Sequence, residues 1–331
     1  MSLSHLETRE LLAGLNDLIQ AGDLERTRLY LAGLSEEERS VVSATAVMWF
    51  RRLVRSRLAD LDELTAEARK SKCALLATLA TASPEQIKSL SFEYAFLDLA
   101  DLDFLADLKP PCLAILGEVL LGQSPRWWSE VRHLVLARAC SKPAGSDYLR
   151  AFIENVAPAD LKAVLLAEPD LLAEDIWRLF LDTGDPGFKL PRAWVPVIIE
   201  LCREGLLARQ PLLMACLAAL ALPITCLQAS FYVRLHDGLE PSSRERRDAL
   251  VSYAGLAGCA CPAAVSFAIK NLDLIDRQEA VAGEVLLQSL ESIAVPLPAT
   301  SVKTASRLLE RLSRRDAGLA SRAAAIRGSL C

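Results

Sequence analysis

Carboxylates, imidazoles and thiols are the groups in this chain that could do chemistry, and their spacing decides what each could do. Asp98, Asp101 and Asp103 gather in FLDLADLDFLADL. Such a run resembles the Mg²⁺-binding carboxylates of all-helical prenyl-transfer enzymes, which need acidic side chains converging from facing helices. On a helix Asp98 and Asp101 share a face, Asp103 turns away at ~100° per residue, and no second acidic motif matches them. They read as a solvated helix face. His236-Asp237 has the look of a phosphohydrolase metal pair. The only other internal histidine is the distant His133, so His236 reads as a helix-end residue.

Nine cysteines are present, most of them inside apolar helical runs, where Cys acts as a small hydrophobe. They read as free thiols of a reducing cytoplasm. The one close pair, Cys259-Ala-Cys261, has the wrong spacing for a zinc knuckle or a C-x-x-C redox motif. No G-x-S-x-G, G-x-x-x-x-G-K-[ST] or G-x-G-x-x-G stretch occurs. The sequence therefore nominates no catalytic residue, no metal ligand and no cofactor.

Basic and aromatic residues carry the strongest binding signal. Arg126-Trp127-Trp128 opens a helix that continues to Arg132 and His133. Adjacent tryptophans on one helix diverge by ~100°, so at least one ring is expected at the surface or a groove, beside arginine. Arg51, Arg52, Arg55 and Arg57 follow Trp49-Phe50. Two further clusters are Arg244, Arg246 and Arg247, and Arg307, Arg311, Arg314 and Arg315. Acids stand close to these two, so they read as ion-paired faces. The partner-binding candidates are Arg126, Trp127, Trp128, Arg132, Arg51, Arg52 and Arg55.

The elements that position these residues are helices. The chain has 331 residues, 52% of them hydrophobic and 24% charged, with a mean hydropathy of +0.25. That composition excludes disorder and supports a large core without disulfides or metals. A net charge of −5 argues against a dominant nucleic-acid role. Glu7, Arg9 and Glu10 interrupt any signal-peptide core, which points to a cytoplasmic protein. Residues 210–233 carry no charge over a length that could span a bilayer, but Pro211 and Pro223 divide them into two buried helices with a turn between.

Start signals recur. Ser35 with Glu38 is a capping box, Ser83-Pro84 with Gln86 and Ser124-Pro125 place a cap residue before a proline at the first helical position, Pro241-Ser242-Ser243 opens a further helix, and Asp170 is placed to cap the helix of Trp177. Helices are expected over most of the chain, among them 36–68 (one helix or two), 71–81, 192–205, 210–221, 224–237 and 276–293. Loops of about two to six residues between them imply antiparallel neighbours. Helices apolar all round, such as LLMACLAALAL, must be covered on several sides. Stacked hairpins about 40 residues apart do that, each completing its neighbour's core. The expected fold is all-α, an α-solenoid of HEAT or armadillo type. LDTGDPGFKLPR at 181–192 punctuates it into an N-terminal half, 1–182, and a C-terminal half, 183–331.

The segment AEPDLLAEDIWRLFLDTGDPGFKLPRAWVPVIIELCREGLLARQPLLMACLAALALP, followed by FYVRLHDGLEPSSRERRDALVSYAGLAGCACPAAVSFAIKNLDLI, resembles an uncharacterised bacterial family of HEAT-like helical-repeat proteins. The opening LLAGLNDLIQAGDLERTRLYLAGLSEEER fits the same family. The shared motifs are packing and turn motifs. Members are often much longer, so the resemblance implies that this chain is an N-terminal portion. Some relatives are similar to proteins that accompany MoxR-type (AAA-type) ATPases and von Willebrand A-domain proteins, which implies a scaffold or adaptor by analogy. The expected function is a non-enzymatic scaffold that binds a protein through a concave or groove surface. The rivals are a nucleic-acid-binding HEAT-like protein using the Arg clusters and tryptophans, and an all-α Mg²⁺-dependent enzyme using Asp98 and Asp101.

Overall fold

The structure is a computed structural model that describes residues 3–54, 65–181 and 190–330. All regular elements among these residues are helical, and none is a strand. The all-α expectation holds, and Val195-Pro-Val-Ile-Ile, strand-like by composition, is helical. The chain divides into two compact units, Met1–Asn155 and Val156–Cys331. Most of the segment read as a division at 182/183 falls outside the described residues, at 182–189.

The first unit contains α1 (His5–Ala21), α2 (Leu24–Gly33), α3 (Glu36–Leu53), α4 (Ala66–Thr81), α5 (Pro84–Lys88), α6 (Leu99–Leu108), α7 (Leu113–Gln123), α8 (Trp128–Leu136) and α9 (Ser146–Asn155). Neighbours in sequence alternate between two layers. In one, α1 packs on α3, α5 on α7 and α7 on α9; in the other α2 packs on α4, α4 on α6 and α6 on α8. This is the arrangement of a stacked-pair, solenoid-like fold. Helix α4 shows why stacking is needed. From Ser71 to Thr81 every residue is buried, because α1, α2, α3 and α6 cover it from different sides.

The second unit contains α10 (Leu161–Ala167), a π-type turn at Leu171–Asp175 running into α11 (Ile176–Arg178), α12 (Trp194–Arg203), α13 (Arg209–Ala221), α14 (Cys226–Gly238), α15 (Ser243–Asp248), α16 (Leu250–Leu256), α17 (Pro262–Gln278), α18 (Gly283–Glu291), α19 (Ala299–Arg315) and α20 (Ala320–Leu330). Its layers are α10–α12–α14–α17–α19 and α13–α16–α18–α20. Polar links tie each pair to the next at 30 to 38 residues' separation. Arg209 donates to Leu239 O at 2.7 Å, Lys270 pairs with Asp237 at 2.8 Å, Arg315 donates to Val281 O at 2.8 Å, and Arg322 holds Glu284 and Glu291.

Most start signals place helices correctly. Ser35/Glu38, Ser83/Gln86 and Ser242/Glu245 form reciprocal capping boxes, and Ser124 caps the turn at Pro125. Asp170 does not cap: its backbone is already helical and its side chain makes no cap bond. The stretch 36–68 contains two helices, since Thr65 is extended and its hydroxyl caps α4 at Ala68 N. The expected helix 276–293 is broken. Glu279 is extended, Asp276 accepts from Val281 N, and Arg315 holds Val281 O, so the turn between α17 and α18 is pinned from both sides.

Two buried ion clusters fasten the layers. In the first unit Arg28 of α2 and Lys72 of α4 meet Asp98 and Asp101 at the start of α6, with Lys72 Nζ 2.8 Å from Asp101. Lys72 and Asp101 are 4% and 0% exposed, so neither can trade its partner for water. In the second, Arg311 and Arg315 of α19 clamp Asp273 and Asp276 of α17 at 2.6 to 3.2 Å. Replacing Lys72 by Ala strands the Asp101 charge against one cation and is expected to lower the stability of the first unit by about 3 kcal/mol. Replacing Arg244, whose ion pair with Asp248 is exposed and 4.0 Å long, is expected to cost less than about 0.5 kcal/mol. Urea midpoints of the two variants measure the difference.

Candidate functional site

One residue of each sequence cluster nominated for partner binding, Arg126 and Arg51, reaches one groove of the first unit. It has a volume of about 570 Å³ and is lined by Lys88, Ser89, Leu90, Ser91, Glu93, Gln123, Ser124 and Arg126. The C-terminal ends of α5 and α7 form its walls. Gln123 shapes it: the side-chain amide donates to Leu90 O at 2.7 Å and its oxygen accepts from Phe92 N at 2.7 Å, so the 89–92 segment is held against the end of α7. Arg51, at the end of α3, donates to Ser89 Oγ at 3.0 Å and so reaches the same rim. Arg52, next along the end of α3, is exposed with its guanidinium 5.3 Å over the Trp49 ring. Lys88 is exposed on the rim. One carboxylate, Glu93, lies among the lining residues. Cations at the C-terminal ends of α3 and α5 complement the helix dipoles and, with Arg126, leave a net positive, hydroxyl-rich edge.

The tryptophans are not part of that edge. Trp127 is 2% and Trp128 4% exposed, which corrects the expectation of a ring at the surface. The ~100° argument assumed one regular helix. Instead Trp127 ends a 3-10 turn, Pro125–Trp127, and α8 begins only at Trp128, so the change of winding lets both rings turn inward. Trp128 packs on Tyr148 and Phe152 of α9, at ring-centroid distances of 4.7 and 5.5 Å. Arg126 is largely committed to the fold: it donates to Phe92 O at 2.8 Å and Ala95 O at 3.0 Å and stacks over Trp127 at 4.7 Å. Arg132 is half-buried on α8. Arg55 and Arg57 lie outside the described residues. Lys88, Ser89 and Gln123 were not nominated from sequence. The signal for them is weak: a Lys-Ser pair closing a short proline-started helix.

The carboxylate candidate resolves into the buried cluster described above. Burial works to raise the Asp98 carboxyl, but the Lys72 ammonium and the Asp101 N–H outweigh it and hold it below the usual range. Asp98 and Asp101 also form a reciprocal capping box, a role the sequence reading missed because the third residue is Asp rather than Glu or Gln. Asp103 pairs with His133 at 2.8 Å. Asp98 and Asp101 are thus engaged by the Arg28 and Lys72 cations of their own chain. Among the described residues no group of three or more His, Cys, Asp or Glu side chains could hold a metal ion. The other two basic clusters are likewise engaged in part: Arg247 pairs with Glu279 at 2.5 Å, and Arg311 and Arg315 belong to the aspartate clamp. No described helix is long and apolar enough to cross a membrane.

No family model, curated protein or solved structure matches this chain.

His236 is 1% exposed, with Nε2 2.9 Å from Tyr253 Oη and Nδ1 without a partner. It is a core residue of α14, packed edge-on against Tyr253 and Phe267. Burial lowers its pKa to about 4, with Arg246 and Lys270 helping and Asp237 opposing. The unfolded chain takes up the proton near pH 6.5, the folded one only near 4. Stability is therefore full above pH 6.5 and falls between pH 6.5 and 4, by on the order of 3 kcal/mol. His236→Gln is expected to flatten that part of the stability–pH curve, measured by denaturant melts at pH 7, 5.5 and 4.5.

Proposed function

We propose that this protein is a helical-repeat scaffold that binds an acidic segment of a protein partner along the edge formed by Arg51, Arg52, Lys88 and Arg126. The observation that carries the reading is the convergence of residues far apart in sequence on one polar groove with a net positive rim. The layered helices support it, since each pair is spent on covering its neighbours and the outer edges remain for binding. A groove lined by hydroxyls, amides and cations suits carboxylate side chains and backbone carbonyls better than an apolar anchor. The resemblance to HEAT-like proteins adds the expectation of an AAA-type ATPase or a von Willebrand A-domain protein as the partner.

Nucleic acid is the second reading. The net charge of −5 weighs against it, as does the ion pairing of Arg247, Arg311 and Arg315 with acids of the chain itself. Fluorescence anisotropy with a labelled oligoglutamate peptide and with a labelled short duplex separates the two. The peptide is expected to bind in a salt-dependent way. Arg51→Glu combined with Lys88→Glu is expected to weaken it at least ~10-fold, because two attractive charges become repulsive. Tight binding of the duplex instead, or equal peptide binding by the double variant, would overturn the assignment.

A further inference from the structure

Cys226 and Cys261 are 35 residues apart in sequence, yet the Cys261 thiol donates to the Cys226 sulfur across 3.7 Å. Cys226 is the first residue of α14, and Cys261 stands immediately before α17 as its capping residue. The two helices are neighbours in one layer. Cys226 is exposed and Cys261 buried, so one sulfur meets solvent and the other waits behind it. The nearby N–H groups of Ala263, in the first turn of α17, and of Cys226 itself work to lower the Cys226 thiol, against the rise that Cys261 and burial impose. Free N–H groups at helix starts stabilise a thiolate. Disulfide formation needs the sulfurs about 2.05 Å apart, so closing the remaining gap takes a small side-chain adjustment. The adjacent Cys259, which sequence spacing pairs with Cys261, is half-buried, and burial pushes its thiol up.

We infer that Cys226 and Cys261 form a reversible modification site that closes to an intramolecular disulfide by exchange with a low-molecular-weight disulfide. The Cys226 thiolate attacks one sulfur of the reagent, forms a mixed disulfide and releases the first small thiolate. Cys261 then gives its proton to solvent, and its thiolate attacks the Cys226 sulfur. The mixed disulfide breaks and the second small thiolate leaves. Two protein thiols are oxidised and one reagent disulfide is reduced to two thiols. At rest the pair stays a dithiol, because the hydrogen bond and charge shared with Cys261 push the Cys226 thiol up. Closure links the starts of α14 and α17 covalently, across the turns that join two successive helix pairs.

The test uses the full chain in buffers of reduced and oxidised glutathione, quenched with an alkylating reagent. Intact mass counts the free thiols and non-reducing peptide mapping locates any bond. The expected result is the loss of two alkylatable thiols, a Cys226–Cys261 linked peptide, and a higher Tm that dithiothreitol reverses. Cys259→Ser is expected to leave the bond intact, and Cys226→Ser to abolish it. The wild-type peptide map carries the test even if a variant folds poorly. A persistent glutathione adduct on Cys226 with Cys261 still alkylatable would overturn the inference. So would a bond from Cys259, or a dimer linked through Cys226.

Discussion

Apolar surface on these helices has to be covered by a neighbour, and nearly everything else in the molecule follows from that constraint. Helices of 3 to 18 residues are marginal alone in water, whatever their propensity. They persist because most lie in a layer against the helix two or three positions on and cross to the other layer through a turn. The case of α4 is the extreme: a helix with no solvent face through its last three turns exists only inside a stack. Hydrophobic burial is non-directional, however, and does not by itself set which helix stands beside which. The polar links do that. Arg28, Lys72, Asp98 and Asp101 join three helices of one layer, and Asp273, Asp276, Arg311 and Arg315 join two of another. A buried charge tolerates no alternative register, because every displaced neighbour would leave it unpaired.

The same reasoning explains which parts of the structure were legible in the sequence. Capping boxes at Ser35, Ser83 and Ser242 are local, and local chemistry is decided within four residues. The proline-divided stretch 210–233 is local too, and it is indeed two helices, α13 and α14. Failures came where a distant residue decides a local question. The break between α17 and α18 depends on Arg315, more than 30 residues downstream, holding Val281 O. The inward turn of both tryptophans depends on a 3-10 start that leaves room for Tyr148 and Phe152 of α9. The aspartates looked like solvated surface or metal ligands because Lys72 and Arg28, their true partners, lie 26 and 73 residues away. Of the candidate groove, the cations were visible from sequence; the Gln123 brace and the Ser89 contact that bring them together were not.

Two classes of cation emerge, and the distinction bears on function. Arg126, Arg209 and Arg315 each donate to backbone carbonyls of the preceding or following pair, and those bonds satisfy acceptors that helix ends leave open. Their positive charge is a by-product of a structural task. Arg52 and Lys88 are different. They are exposed, they sit at the ends of α3 and α5, and no carboxylate among the described residues is paired with them. Counting arginines along the sequence merges the two classes and overstates the attraction for polyanions. Separating them leaves a small positive edge on one unit, which is the edge on which the proposed function rests.

The thiols divide in a parallel way. Cys112 and Cys216 are sealed inside the layers; burial pushes the Cys112 thiol up to about 12 and raises the Cys216 thiol further, so neither reaches solvent as a thiolate. Their role is volume, as the apolar runs around them imply. Cys226 and Cys261 occupy helix starts, where the polypeptide necessarily presents unpaired N–H groups. Stacked pairs bring such starts side by side at regular intervals, so the stacking that hides most of the sulfur also sets two thiols face to face at one rim. Chemistry in an architecture of this kind belongs at the edges, where helix ends meet, because the faces are consumed in holding the layers together.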